Sequence, residues 1–375
     1  MLQIKKIVLL WFFSQSLIGI SQINWNSINS NLYSDFPPSS MCNDNDGNLY
    51  MTCTIYDDIL DSFIHKILVS SNSGLTWNEI NTSGISPTCT ITNIAYFNGK
   101  FLISTVNFSV WPSDVKILES TDNGQSWTIS MQGYDNFYAP QDIVSNETDI
   151  FIISYSVDSN TENKLFKSSD GGENWIENNI QNLPDSVSLL EIAFCNGKMI
   201  IGTKPYNANF TNNTGGKLFI SNDEGLNWIE SNTGYDTTFI PSNFLTLDNG
   251  EIYLTSNKHD IQQGGWIFKI FKSTDQGQNW FELNNSGLTD LIYTTSLTYS
   301  ENYFFLTGRE NNSSTGLLYR SDQYSLGIEK IKKIEFSDDN ILKTYDLSGK
   351  LCSPSEEFLH INLFKNGKTK FSFLK

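Results

Sequence analysis

Strand-like runs rich in Ile, Phe, Tyr, Leu and Thr recur along the chain, and tight polar turns separate them. Ile94-Ala95-Tyr96-Phe97 and Lys100-Phe101-Leu102-Ile103 flank Asn98-Gly99, and such a dipeptide between two β-rich runs predicts a hairpin. Comparable turns fall at Asp46-Gly47, around Glu147-Thr148-Asp149, at Asn196-Gly197, at Asn249-Gly250 and around Glu301-Asn302. Between these hairpins a second kind of corner repeats. Five segments share Ser-x-Asp-x-Gly-x-x-Trp: 70–77, 120–127, 168–175, 221–228 and 273–280, with Asn72 in place of the acid in the first. Their tryptophans are 50, 48, 53 and 52 residues apart, a period that marks a repeat architecture.

The chemistry of the corner is structural. An Asp carboxylate closes a turn by accepting backbone N–H groups a few residues on, and the glycine supplies positive φ without steric cost. The tryptophan folds its indole over the turn and buries a large area. β-rich runs lie on both sides, as in Lys164-Leu165-Phe166-Lys167 before the corner and Trp175-Ile176-Glu177 after it. There are six inner hairpins but five complete corners, and two fragments supply the difference. Leu317 to Asp322 matches the strand and start of a sixth corner, and Ile23-Asn24-Trp25-Asn26-Ser27-Ile28 matches the strand that should follow it. The expected fold is therefore all-β: a six-bladed β-propeller with the N-terminal strand closing the last blade, plus a small C-terminal β-rich region. An open solenoid competes with it but has no use for the N-terminal strand.

The corner resembles the Asp-box, or bacterial neuraminidase repeat, family of propellers, over roughly residues 23–326. That family contains sialidases, other glycoside hydrolases, sortilin-type receptors and many exported bacterial proteins. The resemblance implies that the corner aspartates are structural and lie on the face away from the active site. A sialidase would hold its substrate carboxylate with three arginines and use a Tyr–Glu pair and an acid Asp. Only two of the 24 basic residues are arginine, Arg309 and Arg320, and lysine lacks the bidentate fork. Arg320 stands just before the sixth corner, like Lys167 and Lys272 in other blades, which leaves Arg309 for a mouth. Sialidase activity is not expected.

The ends suggest an exported protein. Residues 1–21 read as a signal peptide: Lys5 and Lys6, an apolar stretch from Ile7 to Ile20, then small residues before Gln22. Residues 22–327 form the expected propeller. Residues 328–375 break the period, and "ILKTYDLSGK" with "NGKTKFSFLK" resembles the sorting region of type IX secretion substrates in Bacteroidota. That resemblance implies recognition by the secretion machinery, although the usual Gly-x-Tyr is missing. The expected location is secreted or at the outer-membrane surface, with no transmembrane span after signal cleavage. Of the five cysteines, Cys42 and Cys53 fall on two arms of one hairpin, where a disulfide and buried thiols are both open readings.

Charge and composition narrow the partners. The formal charge is −17, and loss of Lys5 and Lys6 makes it −19, which argues against nucleic acid and favours neutral or cationic partners. Aromatic residues make up 13%, enough for a large core. Loops between blades, and loops joining second and third strands, should share one mouth. Those loops are aromatic and acidic: Tyr33, Asp35, Tyr134, Asp135, Tyr138, Tyr235 and Asp236 between blades, with Trp111, Trp266 and Arg309 within them. Flat rings beside carboxylates suit sugar stacking, and Tyr and Trp equally suit an extracellular protein partner. The expected function is non-catalytic binding of a glycan or protein. The alternatives are a glycoside hydrolase acting on a non-sialic polysaccharide and a structural component of a surface complex. No cofactor is expected. No zinc spacing occurs, and Asp44 to Gly47 reads as a hairpin turn rather than a calcium loop.

Overall fold

The computed structural model describes residues 23–28, 38–60, 62–110, 113–146, 148–157, 162–184, 186–206, 215–260, 262, 264–288, 292–310, 316–324, 341–345, 359–364 and 369–373. The signal-like segment 1–21 and Cys352 lie outside these residues. The chain divides into two compact units, 1–324 and 325–375, a boundary three residues before the one expected from sequence. The second unit is a three-stranded antiparallel sheet of Ile341–Tyr345, Leu359–Phe364 and Thr369–Phe373.

The first unit is a six-bladed β-propeller. Blades 1 to 5 are four-stranded antiparallel sheets over residues 38–80, 90–129, 138–178, 187–230 and 240–282. Blade 6 takes three strands from residues 292–321, and its fourth is the N-terminal strand Ile23–Ser27. Trp25 pairs with Ser321, Asn26 with Arg320 and Ser27 with Tyr319, so the two ends of the repeat close the ring as expected. Hairpin turns also match. Asn98-Gly99, Asn196-Gly197 and Glu301-Asn302 each put two consecutive residues at positive φ, which gives the backbone twist a two-residue hairpin needs. Cores lie between blades, where apolar residues of facing sheets interdigitate; Leu102 and Ile117 of blade 2 pack with Ile152 and Phe166 of blade 3.

The corner works as a hydrogen-bonded knot. In blade 3, Ser168 Oγ donates to Asp170 Oδ1 at 2.8 Å and accepts Gly172 N–H at 2.8 Å. Asp170 Oδ1 also accepts Asn174 N–H at 2.9 Å, and Oδ2 accepts its amide at 2.7 Å. Blades 2, 4 and 5 repeat the pattern at Asp122, Asp223 and Asp275. Asn72 keeps the Oδ1 role and turns its amide to Thr76 Oγ1. Charge-assisted donors, led by the Ser126 hydroxyl and the Asn174 backbone N–H, hold the Asp122 and Asp170 carboxyls down at about 2.

Three of the corners also lock to the blade before them. Gly133, Gly234 and Gly287 have positive φ, and a Cβ there would fall 2.5, 2.0 and 2.2 Å from the carbonyl oxygens of Trp175, Trp280 and Trp25. The last of these pairs makes Trp25 the sixth corner tryptophan, buried at 3% exposure although it begins the repeat region.

Every inner strand carries a bulge at the same place. Register shifts fall between Pro38 and Ser40, Ile91 and Asn93, Pro140 and Asp142, Leu189 and Glu191, Pro241 and Asn243, and Thr294 and Ser296. The residue after each bulge is polar, and most of these side chains reach the inner strand of a neighbouring blade. Ser40 Oγ accepts Ile94 N–H at 3.4 Å, Asp142 Oδ2 accepts Ile192 N–H at 2.9 Å, and Asn243 Oδ1 accepts Leu297 N–H at 2.8 Å. Ser296 Oγ accepts Met41 N–H at 3.2 Å, which joins blade 6 to blade 1. The inner strand is a sheet edge, so its outward N–H groups need such acceptors.

Among the described cysteines, Cys42, Cys53, Cys89 and Cys195 are free thiols. Cys42 stands opposite Tyr50, and Cys53 opposite Pro38, so the hairpin offset keeps them apart and the buried-thiol reading holds. Burial pushes the Cys53 thiol up to about 12.

Two substitutions test the ring. Trp25→Ala should destabilise by about 3–5 kcal/mol in denaturant unfolding, as for any core tryptophan. A cost near zero would mean that the ring does not rest on the N-terminal strand. Asn243→Ala leaves Leu297 N–H without its acceptor and should cost about 1–3 kcal/mol in the same assay.

Candidate functional site

The bulges build the site. An extra residue in the inner strand re-aims the neighbouring side chains toward the axis. Five of the six bulged residues are polar, namely Ser39, Thr92, Gln141, Ser242 and Thr295, and all five line one cavity of about 410 Å³ at the axis. The sixth, Leu190, lines an adjoining side pocket of about 180 Å³ with Lys204 and Asn257. Glu191, Gln141, Ser242 and Tyr293 are common to both spaces. The cavity opens on the face opposite the corner motifs, because the inner strands begin there and end at the hairpin turns beside the corners.

One wall is aromatic and cationic. His259 meets Trp266 edge-on at 5.4 Å between ring centroids, and Trp266 meets Tyr293 at 4.9 Å. The Arg309 guanidinium carbon lies 5.7 Å from the centre of the Tyr293 ring. Pairing across the blade 6 hairpin fixes this approach, since Tyr293 stands opposite Arg309. Burial pushes the Tyr293 hydroxyl up from its ordinary value, and Arg309 partly offsets that. Burial lowers the Lys204 ammonium.

Next to this wall lie two carboxyls in contact. Asp142 and Glu191, on the inner strands of blades 3 and 4, are hydrogen-bonded to each other. Burial raises Asp142 to about 6, against the pull of the N–H groups of Ile192 and Ile143. Glu191 is partly exposed to the cavity yet densely surrounded by protein, and burial, then the Asp142 charge, raise it well above the ordinary carboxylate range.

Of the sequence-selected residues, Arg309 lines the cavity, and Trp266 packs edge-on behind the lining residue Tyr293. Others prove to be internal staples. Tyr134 and Tyr235 are buried, and their hydroxyls donate to the Tyr138 and Phe239 carbonyls at 2.9 and 2.8 Å, closing equivalent loops. Asp135 and Asp236 cap the same two loops, accepting Phe137 and Thr238 N–H, and pair with Lys164 and Lys269 at 3.1 and 3.0 Å. Tyr138 is buried beneath the Lys164 ammonium, 4.2 Å from its ring centre, and donates to Glu162. These five side chains serve the loops rather than the cavity wall. Tyr33, Asp35 and Trp111 lie outside the described residues.

Glu191, Tyr293, Lys204 and the bulged polar residues were not singled out from sequence. A signal for the carboxyls existed: a polar residue followed by an apolar one recurs in each inner strand, at Ser40-Met41, Asn93-Ile94, Asp142-Ile143, Glu191-Ile192, Asn243-Phe244 and Ser296-Leu297. The acidic excess of the chain also does not reach the cavity. Its described lining and side pocket hold Arg309, Lys204 and one carboxyl, Glu191.

No protein-family model matches the chain, and no curated protein matches it in sequence. Solved structures do. A protein of unknown function from Dyadobacter fermentans is similar with a TM-score of 0.59 and 13% identity, over 80% of this chain and 97% of that one. An α-L-arabinofuranosidase from Fusarium graminearum, solved with an iminosugar inhibitor, gives a TM-score of 0.56 at 14% identity, over 80% and 96%. A Trypanosoma rangeli sialidase solved with the inhibitor DANA gives 0.54 at 15%, over 76% of this chain and 54% of that one. At such identities the likeness is one of fold: the chain is a β-propeller of sialidase-like architecture.

Proposed function

We propose that this is an exported, non-catalytic binding protein whose propeller mouth holds a neutral saccharide. The lining carries the reading. Hydroxyl and amide side chains at the bulges match the donors and acceptors of a polyhydroxylated ligand, and Tyr293 and Arg309, backed by Trp266, offer a surface for a sugar ring. The second observation is the placement of acid groups. Glycoside hydrolysis needs two carboxyls roughly 5–10 Å apart on either side of the bond. Here Glu191 and Asp142 touch, and Glu191 is the one carboxyl among the described lining residues.

Sialidase chemistry has no support. Arg320 belongs to the corner face, where its Nη1 donates to the Ser73 carbonyl at 3.0 Å. That leaves one guanidinium at the mouth, against the three that the fold resemblance implies. A hydrolase of another kind is the second reading. It is favoured by a raised carboxyl beside Tyr293 and by the glycosidases among the similar folds. Export and surface location rest on residues 1–21 and on the sorting-like 328–375, which we take as the handle for the secretion machinery.

Calorimetry on the secreted chain with a panel of neutral oligosaccharides, paired with chromatography of the products, tests this. The expected result is binding with no released sugar, weakened about tenfold by Trp266→Ala or Arg309→Ala. Released sugar that disappears in Glu191→Gln would establish the hydrolase. An absence of binding across the panel would overturn the saccharide reading.

A further inference from the structure

The paired carboxyls at the mouth carry a consequence for how the site recognises its ligand. Asp142 is held by three N–H donors. Its Oδ1 accepts the Asn93 amide at 3.0 Å and Ile143 N–H at 2.8 Å, and its Oδ2 accepts Ile192 N–H at 2.9 Å. All three stabilise the ionised form. Glu191 has a different environment. Its hydrogen-bond partner among the described residues is Asp142 itself. Two carboxyls in direct contact in a largely desolvated wall disfavour double ionisation, and the hydrogen bond between them requires a proton. The donors fix which one is charged: among the described residues Asp142 has three and Glu191 has none.

We propose that Asp142 and Glu191 share one proton at neutral pH, carried on Glu191 and donated to Asp142, so that the mouth is offered the carbonyl of a neutral acid in place of a carboxylate. Asp142 is the positioning residue; it accepts from the Glu191 acid and anchors it across the joint between blades 3 and 4. The other titratable groups around Glu191 are Lys204 from its own blade, and Tyr293 and Arg309 from blade 6. Asn93, Gln141 and Asn257 supply neutral neighbours from blades 2, 3 and 5. Arg309 lies over the Tyr293 ring and keeps its charge in the same cavity. On titration the proton leaves Glu191 for solvent, and the pair becomes a dianion in a low-dielectric wall.

The sign follows from burial. Both carboxyls are raised, Asp142 to about 6 and Glu191 further above its ordinary value, so the folded state binds protons more tightly than the unfolded chain. Stability is then greatest below the unfolded values and declines as pH rises through the folded ones.

The ligand consequence rests on the saccharide reading; the proton does not. Infrared spectra of the full-length protein, without saccharide, test the proton directly. A protonated-carboxyl carbonyl band should be present at pH 7, vanish in Glu191→Gln, and titrate away on the alkaline side. Asp142→Asn should move that titration to lower pH by removing the neighbouring charge. Identical spectra in wild type and Glu191→Gln, with no such band in the wild-type titration, would overturn the assignment. Thermal unfolding gives the second readout, one that a merely structural pair would not produce: the alkaline decline in stability should flatten in Glu191→Gln. A decline of equal slope in that variant overturns it as well. An empty saccharide panel would sink the binding reading and leave the proton assignment standing. Where saccharide binds, affinity should change through the titration as the neutral Glu191 carbonyl becomes a carboxylate, and pH-independent affinity across it would remove Glu191 from the ligand's contacts.

Discussion

The inner strand of each blade pairs with its own sheet on one side only, and that exposed edge governs the molecule. A propeller can exist when six such edges face one axis and each finds acceptors for its unpaired N–H groups. Here side chains of neighbouring blades supply several of them. Ser40, Asp142, Asn243 and Ser296 each accept an N–H from the inner strand of another blade. The ring must also be complete, since an unfinished last blade would leave a second open edge. Pairing of Ile23–Ser27 with Gly316–Ser321 removes it. Gly287 then seats against the Trp25 carbonyl as Gly133 and Gly234 seat against Trp175 and Trp280.

The same constraint makes the site. Acceptors reach across the joints because each inner strand bulges at one level, and the bulge turns the preceding residue toward the axis. Structural and functional side chains thus alternate: Gln141 lines the cavity while Asp142 stitches the joint, and Ser242 lines while Asn243 stitches. At the joint between blades 3 and 4 both stitching positions are acids. That is where the structural ring and the mouth share a residue, since Glu191 touches Asp142 and faces the cavity. A carboxyl in such a place is governed by its neighbours more than by the −17 charge of the chain.

Much of the architecture was legible in the sequence because corners and hairpins are local. Asp170 closes its turn with residues four positions away, and Asn98-Gly99 needs no distant partner. Even ring closure was readable, since the Trp25 segment matches the strand that blade 6 lacks. The site was less legible. Tyr134 and Tyr235 sit in loops of the right kind, but their hydroxyls staple those loops from inside, and nothing local distinguishes the two outcomes. Glu191 lies in Leu189-Leu190-Glu191-Ile192, which reads as an ordinary strand. Its importance appears only when the bulge places it beside Asp142 of the preceding blade.

A polar axial cavity, proposed to hold a neutral saccharide, sits on a scaffold with no opposed pair of carboxyls among the described lining residues. A crystal structure after soaking with a neutral oligosaccharide tests both parts at once. The expected result is an unbroken saccharide in the axial cavity, in contact with Trp266 and Arg309 and within hydrogen-bond distance of Glu191. A cleaved saccharide there, or an intact one bound only on the corner face, would contradict it.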